Sequence, residues 1–202
     1  MSRHADEALE GHILDAAYQL WKRGGEKALT MRAVAEAADT TTPTVYERFR
    51  DKRQILESLR SRGQMALYSI LKDAATLDDF PRLYLDFALH HKHEYELIHL
   101  DWAARFGREE PRPSFELLKL RLAEELGGKP GEYTQLALAM AGLAHGTATL
   151  MLTEGVSDHV SGRLREACLA GFQAMVEHTA HRRGKQRAGV HRNSRRIARM
   201  KK

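Results

Sequence analysis

The chain has 202 residues, 43% hydrophobic and 29% charged, with 15 Gly, 5 Pro and a single Cys, which fits one or two modest domains with a real core and excludes a disordered chain. Cys168 stands alone, so neither a disulfide framework nor a cysteine-based zinc site can be built within one chain. The net charge of +5 is unevenly spread: residues 181–202 hold ten of the 32 Lys and Arg and no Asp or Glu, leaving 22 basic against 27 acidic residues, a net charge of −5, in residues 1–180.

Asp6, Glu7 and Glu10 stand where a secretory signal would place its apolar stretch. The longest apolar run, Leu136 to Ala144, stops at His145, far short of the roughly 20 residues a bilayer span requires. A soluble, cytoplasmic protein with no membrane partner is the expectation.

In chain order, Ile13, Ala16, Ala17, Leu20 and Trp21 form an apolar stripe at helical spacing. Gly24-Gly25 stops that helix, because glycine readily takes the left-handed conformation that closes a helix end. Thr30 is placed to cap a short helix running from Met31 to Ala38, and Asp39 ends it at a turn. Thr40-Thr41-Thr42 offers further caps, and Pro43 suits the first turn of the next helix, where its missing N–H costs nothing. In that brief helix Val45 and Phe49 give one apolar edge and are assigned to a small core, and Arg50-Asp51-Lys52 reads as a polar turn with Asp51 as the cap. A longer helix follows through Ile55, Leu59, Leu67, Ile70 and Leu71, broken between Leu77 and Pro81. Further helices are expected at about 81–91, 93–105, 113–126, 131–153 and 158–180. With no alternating strand pattern anywhere, the fold class is all-α.

Two short helices flanking a tight turn make a helix-turn-helix, whose second helix fits the DNA major groove while the first braces it. The pattern alone is shared with many helical bundles. A more specific signal lies in Ile13-Leu14-Asp15-Ala16-Ala17, Leu20-Trp21, Gly24, Leu29-Thr30-Met31-Arg32-Ala33-Val34-Ala35 and Ala38. It continues without gaps through Thr42-Pro43-Thr44-Val45-Tyr46-Glu47-Arg48-Phe49-Arg50-Asp51-Lys52 and Ile55-Leu56. Over residues 13–59 this sequence resembles the TetR (tetracycline-repressor-like) family of transcriptional regulators. The resemblance implies a three-helix DNA-binding domain over residues 1–54, a helical ligand-binding and dimerisation domain over 55–181, and leaves 182–202 as a basic tail expected to be disordered.

The same resemblance puts Thr41, Thr42, Pro43, Thr44 and Tyr46 at the DNA face, Arg32 on the supporting helix within reach of a base or phosphate, Arg48 at the backbone, and Lys52 at the family's phosphate-contacting lysine. Two departures stand out. Asp39-Thr40 replaces the usual Gly-Val of the turn, which Asp tolerates because it enters the left-handed region more readily than most residues. Glu47 brings a carboxylate near phosphates, acceptable where it takes a hydrogen bond such as that of a cytosine amino group. Residues 26–53 hold six basic and five acidic side chains, so their field alone is not strongly DNA-like.

In the C-terminal half, Phe87-Ala88-Leu89, Glu94-Tyr95-Glu96-Leu97 and Leu143-Ala144-His145-Gly146 are similar to a TetR subgroup with a Trp-His-Gly signature, here with Ala144 in place of the Trp. Phe87, Tyr95, Trp102, Phe106, Met140 and His145 are the candidates for an apolar effector pocket, each also able simply to fill a core. Histidines at 90, 91, 93 and 99 cluster without cysteine and read as a polar corner rather than a metal site. No Ser-His-Asp set, phosphate loop or carboxylate pair has a persuasive spacing, so no catalytic residue, metal or cofactor is expected.

The last two helices are too apolar for a solvated surface. In the family such helices pair with their twins, with Gly142, Ala144 and Gly146 permitting close approach, and the dimer sets two recognition helices about one DNA turn, roughly 34–36 Å, apart on a near-palindromic operator. The reading is therefore a homodimeric, ligand-responsive regulator, a repressor of double-stranded operator DNA released by a small-molecule effector. The alternative is an architectural DNA-binding protein acting mainly through the basic tail.

Overall fold

The computed structural model describes the backbone of residues 3–100 and 112–200 and the side chains of residues 6–100 and 112–185; Trp102 and Phe106 lie outside them. The described residues form nine α-helices and one 3-10 turn, with no strand, and the chain divides into two compact units.

The first unit comprises Met1–Ala66 together with the segment that starts at His91. Helix α1 (Arg3–Ala28) breaks at Gly24 (φ −153°, ψ 19°) and Gly25 (φ 58°, ψ −148°), the second of which only glycine adopts without strain. Helix α2 (Met31–Ala37) opens on Thr30, whose hydroxyl oxygen accepts the Ala33 N–H at 3.0 Å. It closes on Asp39 at φ 47°, the left-handed turn residue the sequence suggested. There Asp39 N–H donates to Glu36 O (3.2 Å) and Thr40 N–H reaches back to Ala35 O (2.9 Å), so carbonyls that a helix end leaves unpaired are satisfied. His12 on α1 donates from Nε2 to Ala38 O at 3.1 Å and ties the same corner to the first helix.

Helix α3 (Thr42–Arg48) opens on Thr41, which accepts the Thr44 N–H, with Pro43 in the first turn. Helix α4 (Lys52–Lys72) starts where Asp51 accepts the Gln54 N–H at 2.9 Å. Ile13, Ala17, Trp21, Leu29, Val34, Val45, Phe49, Ile55, Leu59 and Leu97 share one buried core. Leu97 comes from helix α6 (Lys92–His99), which docks on the same unit. The Trp21 indole donates to His93 O at 3.2 Å, and a Cβ at Gly63 would lie 3.3 Å from both Glu94 O and Ile98 Cγ1, so α4 and α6 touch closely there. The unit is thus larger than residues 1–54, because Ile55, Leu59 and Leu97 are needed to close the core beneath the helix-turn-helix.

The second unit comprises Leu67–His90 and the chain from Pro111 onward. It contains α5 (Asp79–His90), α7 (Pro113–Leu126), the 3-10 turn Pro130–Tyr133, α8 (Thr134–Met151) and α9 (Asp158–Met200). Helices α8 and α9 pack on one another and on α5. Leu143 of α8 lies over Gly171 of α9, where an added Cβ would come within 2.8 Å of the leucine. Buried Thr147 hydrogen-bonds Cys168, and Arg165 bridges from α9 to Asp86 of α5 at 2.7 Å. Ala144 is 3% exposed and belongs to this core, so it is not available for helix pairing between copies as the sequence suggested; Gly142 and Gly146 face open space.

The backbone helix of α9 continues to Met200, through the segment for which no ordered structure was expected. Arg, Lys, Gln and Ala are among the better helix formers, and extending an existing helix avoids the cost of nucleation. Arg183 pins the helix at the root of this extension: its guanidinium meets Glu132 at 2.9 Å and lies 5.2 Å from the centroid of the Tyr133 ring, while the Tyr133 hydroxyl donates to Gly127 O. Gly128 makes room for the pair at φ 96°, where a Cβ would crowd the Arg183 guanidinium and come within 2.8 Å of Glu132 Oε2. Gly128→Ala is expected to destabilise the protein by about 1–3 kcal/mol, from backbone strain plus the displaced ion pair, measured by urea denaturation.

Candidate nucleic-acid interface

Helix α3 has two faces, set by which residues the core takes. Val45 and Phe49, four residues apart, are 0% and 1% exposed and anchor the helix. The rest of the short helix is thereby turned outward. Thr41, Pro43 and Glu47 are exposed, Tyr46 is 53% exposed, and Thr42 and Thr44 are half-buried. Thr41 Oγ1 and Thr44 Oγ1 lie 2.8 Å apart and hydrogen-bond each other, which fixes both hydroxyls at the N-terminal end of the helix. Arg32 is exposed on α2. Hydroxyls, a phenol and one carboxylate, carried on a helix narrow enough for a major groove, can address base edges by donating and accepting hydrogen bonds.

The basic residues around this face are less available than the sequence suggests. Arg48 turns back to α1 and pairs with Asp6 at 2.6 Å. Lys52 bonds Glu26 twice, at the backbone carbonyl (3.0 Å) and at Oε1 (3.1 Å), stitching the start of α4 to the segment after the Gly24-Gly25 break. Arg50 meets Asp51 at 3.4 Å, and its backbone N–H donates to Gln54 Oε1 at 2.7 Å. The Gln54 N–H, and secondarily Arg50, hold the Asp51 carboxyl below its ordinary range, so the α4 cap stays ionised at neutral pH. Phosphate contacts by Arg48 or Lys52 must therefore exchange an internal carboxylate for a phosphate. Such surface pairs are worth only about 0–1 kcal/mol, so the exchange is cheap.

Asp6 and Glu26, which the sequence reading passed over, are what orient these two cations. Their signal is weak, because exposed pairs 42 and 26 residues apart carry no local pattern. Tyr18 and Glu94 were also missed. Burial, then the Glu94 carboxylate, pushes the Tyr18 hydroxyl above its usual range, so it remains protonated and donates to Glu94, adding a second polar tie between α1 and α6. The available clue was Trp21, whose buried indole N–H required an acceptor.

The effector-pocket candidates divide between the units. Tyr95 is buried in the first, its ring centroid 4.3 Å from that of His99. Phe87 and Met140 are buried in the second, and burial there lowers the pKa of His145, keeping its imidazole neutral at pH 7. The four clustered histidines have local partners: His90 Nδ1 bonds Asp86 O and His99 Nδ1 bonds Tyr95 O, both at 2.8 Å, while His91 and His93 approach Glu94 and Glu96. Among the described residues, no group of three or more His, Cys, Asp or Glu is placed to hold a metal ion, and no helix is long and apolar enough to cross a membrane.

Comparison with known proteins places this geometry. Residues 13–59 match the profile of bacterial regulatory proteins, tetR family. The chain is 40% identical over 62 residues to the HTH-type transcriptional repressor KstR of Rhodococcus jostii (strain RHA1), covering 31% of this chain and 29% of that protein. It spans less than a third of the length of the curated relatives it matches. Among solved structures it is similar to the transcriptional regulator SCO7222, a TetR from Streptomyces coelicolor, with a TM-score of 0.64, 20% identity, and 90% of this chain and 98% of that one covered. It is also similar to the multidrug binding protein EbrR complexed with proflavin, with a TM-score of 0.52, 18% identity, and 81% and 99% covered. These likenesses extend the shared fold well beyond residues 13–59.

The two faces of α3 respond differently to truncation. Phe49→Ala is expected to cost about 3–5 kcal/mol and Tyr46→Ala to stay within about 0.5 kcal/mol of the intact chain, both read from thermal unfolding.

Proposed function

We propose, from the match of residues 13–59 to the tetR family of bacterial regulatory proteins, that this chain is a ligand-responsive transcriptional repressor that binds a near-palindromic operator as a homodimer and is released by a small-molecule effector. The observation that carries the reading is the outward surface of α3: Pro43 and Glu47 lie opposite the buried anchors Val45 and Phe49, half-buried Thr44 and exposed Tyr46 flank them, and Thr41 and Thr42 stand at the helix's N-terminal end. In this reading the hydroxyls and Tyr46 address bases, Pro43 packs on thymine methyls, and Arg32, Lys52 and Arg48 hold phosphates. Phosphate contacts position the helix; base contacts specify the sequence.

Dimerisation is supported by the outer surfaces of α8 and α9. Ala139, Gly142, Gly146 and Leu150 are exposed on one, and Gly162, Ala167, Ala170 and Ala174 on the other. Small residues in register let two helices approach a second pair closely, and a two-fold axis then gives the symmetric operator. Effector response is supported by analogy with EbrR, a structural neighbour described as complexed with proflavin. In this chain Phe87, Met140 and His145, all of the second unit, are the proposed effector contacts; Tyr95, Trp102 and Phe106 fall within the chain range of the first unit and are left out. The mechanism is a population shift: an effector that binds better to the conformation unable to span two half-sites lowers operator affinity by the ratio of its affinities for the two states.

Selection of bound sequences from a random DNA pool tests the proposal, comparing the intact chain with a Thr44→Ala, Tyr46→Ala double variant. The intact chain is expected to enrich one palindrome, and the variant to lose about tenfold or more of that preference for each base contact removed. Enrichment of no sequence by the intact chain, or the same palindrome at equal strength by the variant, overturns it.

A further inference from the structure

We propose that Glu47 is a base-reading residue, its carboxylate accepting a hydrogen bond from the amino group of a cytosine in the major groove and so fixing a C·G pair at one position of each half-site. The inference rests on the DNA-binding function put forward above, which assigns Glu47 no contact.

The first observation is rotational. Each residue of an α-helix is turned about 100° from the one before it, so Pro43 and Glu47, four residues apart, fall within about 40° of the direction opposite Val45 and Phe49. Those two anchors are 0% and 1% exposed, and the Phe49 N–H donates to Val45 O at 2.8 Å, so α3 cannot roll to turn Glu47 aside. Of the pair at the crest of the helix, Pro43 offers apolar contact alone. Glu47 is exposed and carries the hydrogen-bonding side chain.

The second observation is that this carboxylate is uncommitted. The cations beside it in the chain are held by other carboxylates: Arg48 by Asp6, Arg50 by Asp51 and Lys52 by Glu26. Among the described residues none hydrogen-bonds or ion-pairs with Glu47. In water such a side chain is well solvated. Against DNA it loses that hydration, and an ionised carboxylate desolvated without a partner is costly, while any phosphate it approaches repels it. A chain that places Glu47 at the crest of its reading surface therefore needs a donor for it on the base edges.

The chemistry of the groove then selects the base. A carboxylate accepts hydrogen bonds and donates none. Guanine and thymine present the acceptors O6, N7 and O4 in the major groove, and donors come from cytosine N4 and adenine N6. Adenine N6 stands beside N7, whose lone pair opposes the second carboxylate oxygen; cytosine N4 stands beside C5–H, which has none. Cytosine is thus the base whose edge suits Glu47. The hydroxyls of Thr41 and Thr44, bonded to each other at 2.8 Å, can donate as well as accept and do not impose this choice.

The test measures equilibrium binding of the full chain to its selected palindrome and to symmetric variants in which each half-site position takes each of the four bases, for the intact chain, Glu47→Gln and Glu47→Ala. Because Glu47 is exposed, both variants are expected to keep the thermal midpoint of the intact chain. At one position of each half-site the intact chain is expected to prefer cytosine by about tenfold or more. Glutamine presents a donor and an acceptor that match adenine N6 and N7, so Glu47→Gln is expected to move that preference to adenine while the other positions keep theirs. Glu47→Ala is expected to abolish the preference there.

Identical base preferences at every position for the intact chain and Glu47→Gln overturn the proposal, as does a cytosine preference retained by Glu47→Ala, or a responsive position at which the intact chain favours another base. A loss of affinity spread evenly over all four bases also overturns it, since that marks a residue that positions the helix. In each of these cases the palindrome survives and the repressor reading stands. If the intact chain prefers no palindrome, the repressor reading fails and the cytosine contact with it.

Discussion

A helix of seven residues cannot hold itself together in water, since isolated helices shorter than about 12–15 residues are marginal, and α3 is that short. Its existence depends on Val45 and Phe49 being sunk in a core that α1, α2, α4 and α6 complete. The rest of the first unit follows from that constraint. The Thr30 and Thr41 caps start α2 and α3, the left-handed Asp39 turns the chain between them, and His12 braces the turn from α1. The residues left over, Thr41 to Thr44 with Tyr46 and Glu47, are presented outward because their neighbours are committed inward. Presentation of a reading surface is here a by-product of anchoring.

Charge is handled separately from shape. Around α3 the cations are tied to carboxylates on α1, on the segment after its glycine break and on the α4 cap, which orders the side chains but flattens the field. In the proposed account these weak ion pairs are reserves that phosphates can displace.

Legibility in the sequence tracked locality. Thr30, Gly24-Gly25, Asp39 and Pro43 act through bonds to residues a few positions away, and their caps, breaks and turn were recognisable at once; so were Val45 and Phe49, whose spacing marks one face. What depends on distant partners was not legible. The Arg48–Asp6 pair joins residues 42 positions apart, and Ala144 looked like a contact between copies until the second unit buried it. The docking of α6 on the helix-turn-helix unit moved the boundary away from residue 54, because Leu97 fills the same core as Val45. The helical backbone of the C-terminal extension was missed for another reason: its composition is that of a charged tail, yet the same residues propagate a helix that already exists.

The central claim, that a pair of α3 helices reads two half-sites, is tested most directly by hydroxyl-radical footprinting of the intact chain on its selected duplex. The account gives two protected patches on one face of the DNA, symmetric about the palindrome centre and separated by about one helical turn, roughly 34–36 Å. A single patch, or unbroken protection with no two-fold centre, would contradict it.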